Sequence, residues 1–285
     1  MAPMQPVGKM RVRLSVIVTT YNNPRTLSLV LASIARQTVK QFELLIADDG
    51  SGPETRALVK GFAARAPVPV RHIWHPDDGF RKWAICNQAV LRSEGDYIVF
   101  FDGDVLVPRR CLEQHVKRIR RDTYLTGGKI DLKRPLADRV TVGDIEGGML
   151  DGIGFWWRHV GRPRRLVMSY LPGIRYIMNE LGPSAPDWGG ENSSAFKEHI
   201  VRIGGFDERF SHGWGDVDFG RRLQVSGVRG RSIRYNCPVF HLDHPRPYAH
   251  QEQRAVNRAL YEQNRAQGVV RTAHGIPLST PATAP

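Results

Sequence analysis

Tyr97-Ile98-Val99-Phe100-Phe101 is apolar at every position and runs straight into Asp102-Gly103-Asp104. A strand with one wet face alternates apolar and polar residues. An unbroken apolar run needs cover on both faces, as in a parallel sheet flanked by helices. Three similar blocks precede it. Residues 13–19 are β-rich, residues 42–47 form a second strand closed by Asp48-Asp49-Gly50-Ser51, and residues 68–74 form a third. Asn23-Pro24 then supplies a capping residue and a first-turn proline ahead of Leu27, Val30, Leu31 and Ile34 at helical spacing. Helices are also predicted over about 53–64 and 84–91. The order β-α-β-α-β-α-β predicts an α/β fold built on a doubly wound parallel sheet.

Ligands of such sheets bind beyond the carboxyl ends of the strands. Those ends carry Thr19-Thr20-Tyr21, Asp48-Asp49 and Asp102-Gly103-Asp104. In extended chain, positions two apart point the same way, so Asp102 and Asp104 present two carboxylates to one side. Gly103 between them is expected to let a bulky ligand approach the backbone. Hard oxygen donors at a strand end suit Mg²⁺ or Mn²⁺. A solvated Asp-Gly turn is the plain alternative. No G-x-G-x-x-G follows the first strand and no G-x-x-x-x-G-K is present, so dinucleotide and P-loop readings lose their main support.

The chain has 285 residues, enough for one large domain, and its 41 Lys+Arg against 28 Asp+Glu give +13. That balance suits a polyanion, an anionic membrane surface or a phosphate-bearing substrate. No apolar run approaches the roughly 18 residues of a membrane span. No apolar signal core precedes Leu14, so a cytoplasmic location is expected. Three cysteines, Cys86, Cys111 and Cys237, show no paired metal-ligand spacing and are expected as reduced thiols.

The second half is less regular. Residues 155–178 mix Phe, Trp and Tyr with Arg and Pro, either a cover over an acceptor cleft or an anionic-membrane contact placing the protein on the inner face of the plasma membrane. A strand is predicted near 232–235, a polar helix over 251–267 and a disordered tail from 272.

Taken in order, Ser15-Val-Ile-Val-Thr-Thr-Tyr-Asn22, Ala47-Asp-Asp-Gly-Ser51, Asp102-Gly-Asp104, Gly204-Gly-Phe-Asp-Glu208 and Gly213-Trp-Gly-Asp-Val-Asp218 resemble family 2 glycosyltransferases of the GT-A fold. Asp78-Gly-Phe-Arg-Lys82 through Asn87 looks most like chondroitin-polymerase-type and galactosyltransferase-like members. The resemblance spans about residues 15–244. It implies a mixed Rossmann-like sheet with helices on both faces in a domain over 13–250, after a basic arm over 1–12 and before a C-terminal helix and tail over 251–285.

The resemblance further implies a metal-dependent inverting transfer from a nucleotide sugar, by family UDP-linked, to a glycan or lipid-linked glycan. Thr19 and Tyr21 would line the base and ribose pocket and Asp48 would meet the uracil. Asp102 would sit near the ribose or a metal-bound water. Asp104 would bind Mn²⁺ or Mg²⁺, with His241 as a further ligand and His244 in reserve. Arg81 and Lys82 are candidates for steadying the leaving diphosphate, and Asn87 for orienting a donor group. Asp216 aligns with the base, and Asp218 with a downstream acid. The family's preceding Glu is replaced here by Gly215. Trp188, Trp214 and Glu191 are candidate sugar contacts. A nucleotidyltransferase and a basic RNA-binding module are the rival readings. The first would carry a glycine-rich basic signature after its first strand, which Thr19-Thr20-Tyr21-Asn22-Asn23 is not. The second gives no reason for Asp48, Asp102, Asp104 and Asp216 at loop ends, and no nucleic-acid partner is expected.

Overall fold

The computed structural model describes residues 4–7, 10–159, 177–179, 187–244 and 251–277. β1 (Met4–Val7) pairs antiparallel with the start of β2 (Met10–Thr20), so part of the expected N-terminal arm is strand. β2 then runs parallel to β3 (Glu43–Asp48), which is parallel to β4 (Val70–Trp74). On its other side β2 is parallel to β5 (Tyr97–Asp102). The intervening helices are α1 (Pro24–Ala35), α2 (Pro53–Ala63) and α3 (Lys82–Arg92).

After β5 the sheet turns mixed. β6 (Val105–Leu106) leaves for a second sheet, and α4 (Cys111–Val116) leads to β7 (Thr123–Thr126). β8 (Gly128–Leu132) joins the second sheet, and the short helices α5 (Leu136–Arg139), α6 (Val142–Glu146) and α7 (Ile153–His159) follow. β9 (Asn192–Phe196) inserts antiparallel between β5 and β7. β10 (Arg229–Ser232) lies parallel to β7 at the edge, giving the order β10-β7-β9-β5-β2-β3-β4. β11 (Pro238–Leu242) pairs with both β6 and β8 in the small sheet. The strand predicted near 232–235 is thus displaced to 229–232, and β11, which carries His241, was not predicted.

The alternation of the pleat explains the apolar runs. Leu14, Val16, Val18, Leu44, Ile46, Tyr97, Val99 and Phe101 bury against α1, α2 and α4. The residues alternating with them, Ile17, Leu45, Ala47, Ile98 and Phe100, bury on the opposite face. There they meet α3, α8 (Lys197–Arg202) and α9 (Gly215–Val225). A third core lies under the small sheet, where Phe155 and Trp156 pack edge-on to Phe240. Each large apolar side chain buried this way contributes roughly 1.5–3 kcal/mol.

Two expectations change. Cys111 and Cys237 form a disulfide, because α4 and the start of β11 meet with Cα atoms 5.1 Å apart despite a separation of 126 residues. Cys86 remains a buried free thiol. The tail is ordered through residue 277: Ile276 is buried, Thr272 Oγ1 donates to Asp207, and the Ile276 amide donates to the Gly204 carbonyl. The polar helix is α10 (Gln251–Ala266). Residues 160–176 of the aromatic-basic segment lie outside the described residues. Among the described residues no helix is long and apolar enough to cross a membrane.

Candidate active site

β2 has β3 on one side and β5 on the other, so the connections diverge at β2, and a cavity of about 790 Å³ opens at the carboxyl ends there. Thr19 and Asp102 are register partners at this point. The cavity is lined by Thr19, Tyr21, Asp49, Lys82, Asp102, Gly103, Asp104, Glu191, His241 and His244, among others. Sequence reasoning named most of these, and the topology gathers them.

Asp102 ends β5. Its Oδ1 accepts from Thr19 Oγ1 at 2.8 Å and from Lys82 Nζ at 2.6 Å. Burial disfavours the ammonium, but Asp102 outweighs it and holds the Lys82 pKa above its ordinary value. Gly103 lines the cavity and also has a steric role. A Cβ there would fall 2.3 Å from the Thr19 carbonyl oxygen, so glycine is what lets β5 turn against β2.

Asp104 follows on the cavity side. His244 Nε2 lies 2.9 Å and His241 Nε2 3.4 Å from its Oδ2, and donor atoms of all three residues lie within 4.8 Å of one another. β11 delivers His241 because it pairs with β6, directly after Asp104. His241 Nδ1 lies 3.2 Å from Asp131 on β8, a carboxylate placed to orient the ring. Burial alone would raise the Asp104 pKa, yet the two imidazoles hold it well below the carboxylate range. Its Oδ1 is buried with no hydrogen-bond partner. One carboxylate and two imidazoles, with a buried oxygen left over, fit a divalent cation.

Asp48 and Asp49 separate by strand phase. Asp48 follows Leu44 and Ile46 into the interior, is fully buried, and accepts from the Ser51 amide and the His72 ring. It has no face toward the cavity, so the expected uracil contact is corrected. Asp49, in phase with Ala47, reaches the cavity instead. His75 Nε2 lies 2.8 Å from its Oδ1, and the Arg81 amide donates to Oδ2 at 3.0 Å. Burial raises the Asp49 pKa against those hydrogen bonds.

The remaining candidates divide. Tyr21 is exposed, its hydroxyl donating to Asp77. Arg81 points to solvent and pairs with Asp78, so Lys82 is the base that enters the cavity. Asn87 is buried and ties α3 to the 204–208 turn, donating to the Phe206 carbonyl and Glu208 and accepting from the Phe206 amide. It cannot orient a donor. Trp188, 2% exposed, is wedged among Phe100, Tyr124 and Phe219 and has no free face for a sugar. Asp218 is fully buried, held by Arg222 at 2.6 Å and by Asn264, and likewise cannot meet substrate.

Glu191 lines the cavity, with Lys129 Nζ 3.7 Å away. Asp216 is half-buried beside it. Burial raises the Asp216 pKa, Lys82 pulls it down, and Glu191 and Asp102 push it up. Trp214 caps α9 with φ 69°, a left-handed conformation rare for a bulky residue. It packs on Tyr261 of α10, ring centroids 5.2 Å apart.

Sequence reading missed Asp49 as the cavity-facing carboxylate, His75, and Arg254 on α10. Strand parity would have found the first, and the H-x-x-H spacing of His72 and His75 at the end of a strand hinted at the second. Nothing local marks Arg254, which only tertiary packing brings to the cavity.

The sequence profile of glycosyl transferase family 2 matches residues 15–166, more than half of the chain. The chain is 24% identical over 255 residues to a chondroitin synthase of Escherichia coli, covering 81% of this chain and 35% of that protein. It is 25% identical over 267 residues to the uncharacterized glycosyltransferase YfnE of Bacillus subtilis, covering 81% and 65%. The chain therefore spans about a third of the first relative and just under two thirds of the second. Among solved structures it resembles the mannosyltransferase PcManGT from Pyrobaculum calidifontis in complex with GDP-Man and Mn²⁺, with TM-score 0.60, 19% identity and coverage of 92% and 66%. S. aureus TarS 1–349 in complex with UDP gives TM-score 0.57 and 16% identity, covering 87% and 64%. The architecture is that of GT-A glycosyltransferases. With motifs, sheet order and profile in agreement, the chain belongs to glycosyl transferase family 2.

Proposed function

We propose that the protein transfers a sugar, with inversion, from a nucleoside-diphosphate sugar to a glycan or lipid-linked glycan, and that it needs a divalent cation to do so. The observation carrying this reading is the joining of Asp104, His241 and His244 at the carboxyl edge of the sheet, beside a cavity reached by Asp49 and Lys82. The rival readings are not favoured by the family.

Asp49 is the acceptor for a ring N–H of the base. A carboxylate fixed on both oxygens favours uracil or guanine, which present N–H at the pairing edge, over adenine or cytosine, which present a lone pair there. UDP is the preferred nucleotide by resemblance. Thr19 and Tyr21 flank the base and ribose. Asp104, His241 and His244 would hold Mn²⁺ or Mg²⁺, which when bound offsets negative charge developing on the leaving diphosphate. Lys82, kept charged by Asp102, adds a fixed positive group on the same side. Asp216 accepts the proton of the attacking acceptor hydroxyl. Its pKa, raised by burial, makes it a stronger base than an exposed aspartate. Peripheral attachment at an anionic membrane is part of the proposal, resting on the +13 charge.

The test is a thermal-shift and calorimetry panel of UDP, GDP, ADP and CDP with and without Mn²⁺. UDP or GDP should stabilise the protein only with Mn²⁺, and Asp104→Ala should abolish that dependence while retaining a cooperative melt. Equal binding in excess chelator, or by Asp104→Ala, would overturn the reading.

A further inference from the structure

The cations of the cavity are almost all accounted for by acids. Lys82 is matched by Asp102, Lys129 has Glu191 near it, and His241 and His244 share Asp104. Arg254 is the exception. It lines the cavity from the first turns of α10, and its Nε lies 4.0 Å from where a Cβ on Gly213 would stand. Arg258, one turn further on, sits over the Trp214 ring at 6.0 Å. No carboxylate among the described residues pairs with either arginine.

These two guanidinium groups stand on a fixed mount. Asn257, between them on α10 and itself buried, donates to the His212 carbonyl at 2.9 Å and to the Gly213 carbonyl at 3.2 Å. Further along, Asn264 bonds Asp218 of α9 and accepts from Arg209. α10 is therefore locked onto the segment running from Ser211 to Asp218. A guanidinium is always charged and offers parallel N–H groups matched to a carboxylate, sulfate or phosphate.

We infer that the acceptor end of this cavity selects a sugar bearing an anionic group, and that Arg254, supported by Arg258, recognises it beside the Trp214 ring. The inference rests on the glycosyl-transfer reading above and adds the class of acceptor. Charge at the diphosphate end is supplied by Lys82 and the Asp104–His241–His244 cluster. Arg254 instead adjoins Gly213, two residues before Trp214's neighbour Gly215 and three before the proposed base. An acid group held there would anchor the acceptor, and its effect falls on acceptor binding rather than on the nucleotide.

The experiment uses the full chain, Mn²⁺ and whichever of UDP or GDP binds. Disaccharides ending in glucuronate, glucose 6-phosphate or a sulfated hexose are compared with the same disaccharide ending in glucose, by calorimetry at low and moderate salt. At least one acidic probe should bind tenfold or more tightly than the neutral one, with the gap narrowing as salt rises. Arg254→Gln should erase the preference, Arg254→Lys should keep part of it, and both should melt like the parent because the position is exposed. Nucleotide affinity should not change. Equal binding of acidic and neutral probes, binding of none, or a loss of nucleotide affinity in Arg254→Gln would each overturn the inference. If no nucleotide binds with metal at all, the functional reading itself has failed, which is a separate result.

Discussion

Two segments of this chain read Asp-x-Asp, and they do opposite things. Asp102-Gly103-Asp104 leaves a strand, where positions two apart share a side, and both carboxylates line the cavity. Asp216-Val217-Asp218 opens helix α9, where two residues turn the chain by about 200°. There Asp216 stays half-buried within reach of the fields of Lys82 and Glu191, while Asp218 turns into the core against Arg222. The same spacing builds a two-acid site from one backbone and a site-plus-strut from the other.

The sharpest way to break that contrast is to neutralise the two helix acids separately. Asp216→Asn should lower kcat by roughly a thousandfold, within the range lost with a general base, and leave the melting temperature nearly unchanged. Asp218→Asn should do the reverse. Arg222 is fully buried and also donates to the Ile203 and Gly205 carbonyls, so an uncompensated cation would cost about 3–5 kcal/mol of stability. The surviving folded fraction should turn over near the parental rate. If Asp218→Asn proved stable but inactive, the division of labour within the helix would be wrong.

The pH profile sharpens the same point on a smaller scale. Asp216 must be ionised to accept a proton, so kcat should fall as pH drops through its pKa. Because burial raises that pKa, the acid limb should lie above the ordinary carboxylate value. Lys82 draws the pKa down and Glu191 pushes it up. Lys82→Met should therefore move the limb to higher pH and Glu191→Gln to lower pH, in profiles of kcat at saturating donor. Identical limbs in both variants would remove Asp216 as the titrating base.

The contrast also explains what could be read in advance. The strand half was legible because burial on both faces leaves an unmistakable apolar run, and because parity in extended chain fixes where each side chain points. Asp102 and Asp104 followed from that alone. The same rule, applied to Asp48 and Asp49, favours Asp49. The family analogy drew attention to Asp48 instead, which strand phase sends into the interior. Trp188, Asn87 and Asp218 were misplaced for another reason. They are polar or aromatic residues near a site whose roles are structural, and only the packing of α9, β9 and the 204–208 turn reveals that they face inward. The disulfide and Arg254 were hidden by distance in sequence, since each depends on elements more than a hundred residues apart.

The adjacent acids Asp48 and Asp49 give the finest test of phase, because here a single residue step reverses the outcome. Each carboxylate is held by an imidazole supplied at the end of β4, His72 for Asp48 and His75 for Asp49. The two histidines therefore perform the same local act on opposite faces of one strand, and their replacement should be felt in different measurements. His75→Phe removes a hydrogen bond that fixes the cavity-facing carboxylate, and should raise the donor KM about tenfold with kcat within a factor of two, equivalent to about 1.4 kcal/mol of binding. Binding of pyrophosphate with Mn²⁺, which lacks the base, should be unaffected. His72→Phe should lower the melting temperature by a few degrees while leaving donor KM alone, since the group it releases is sealed in the interior. If both variants shifted KM equally, the two carboxylates would be acting as one unit, and strand phase would not be what separates them.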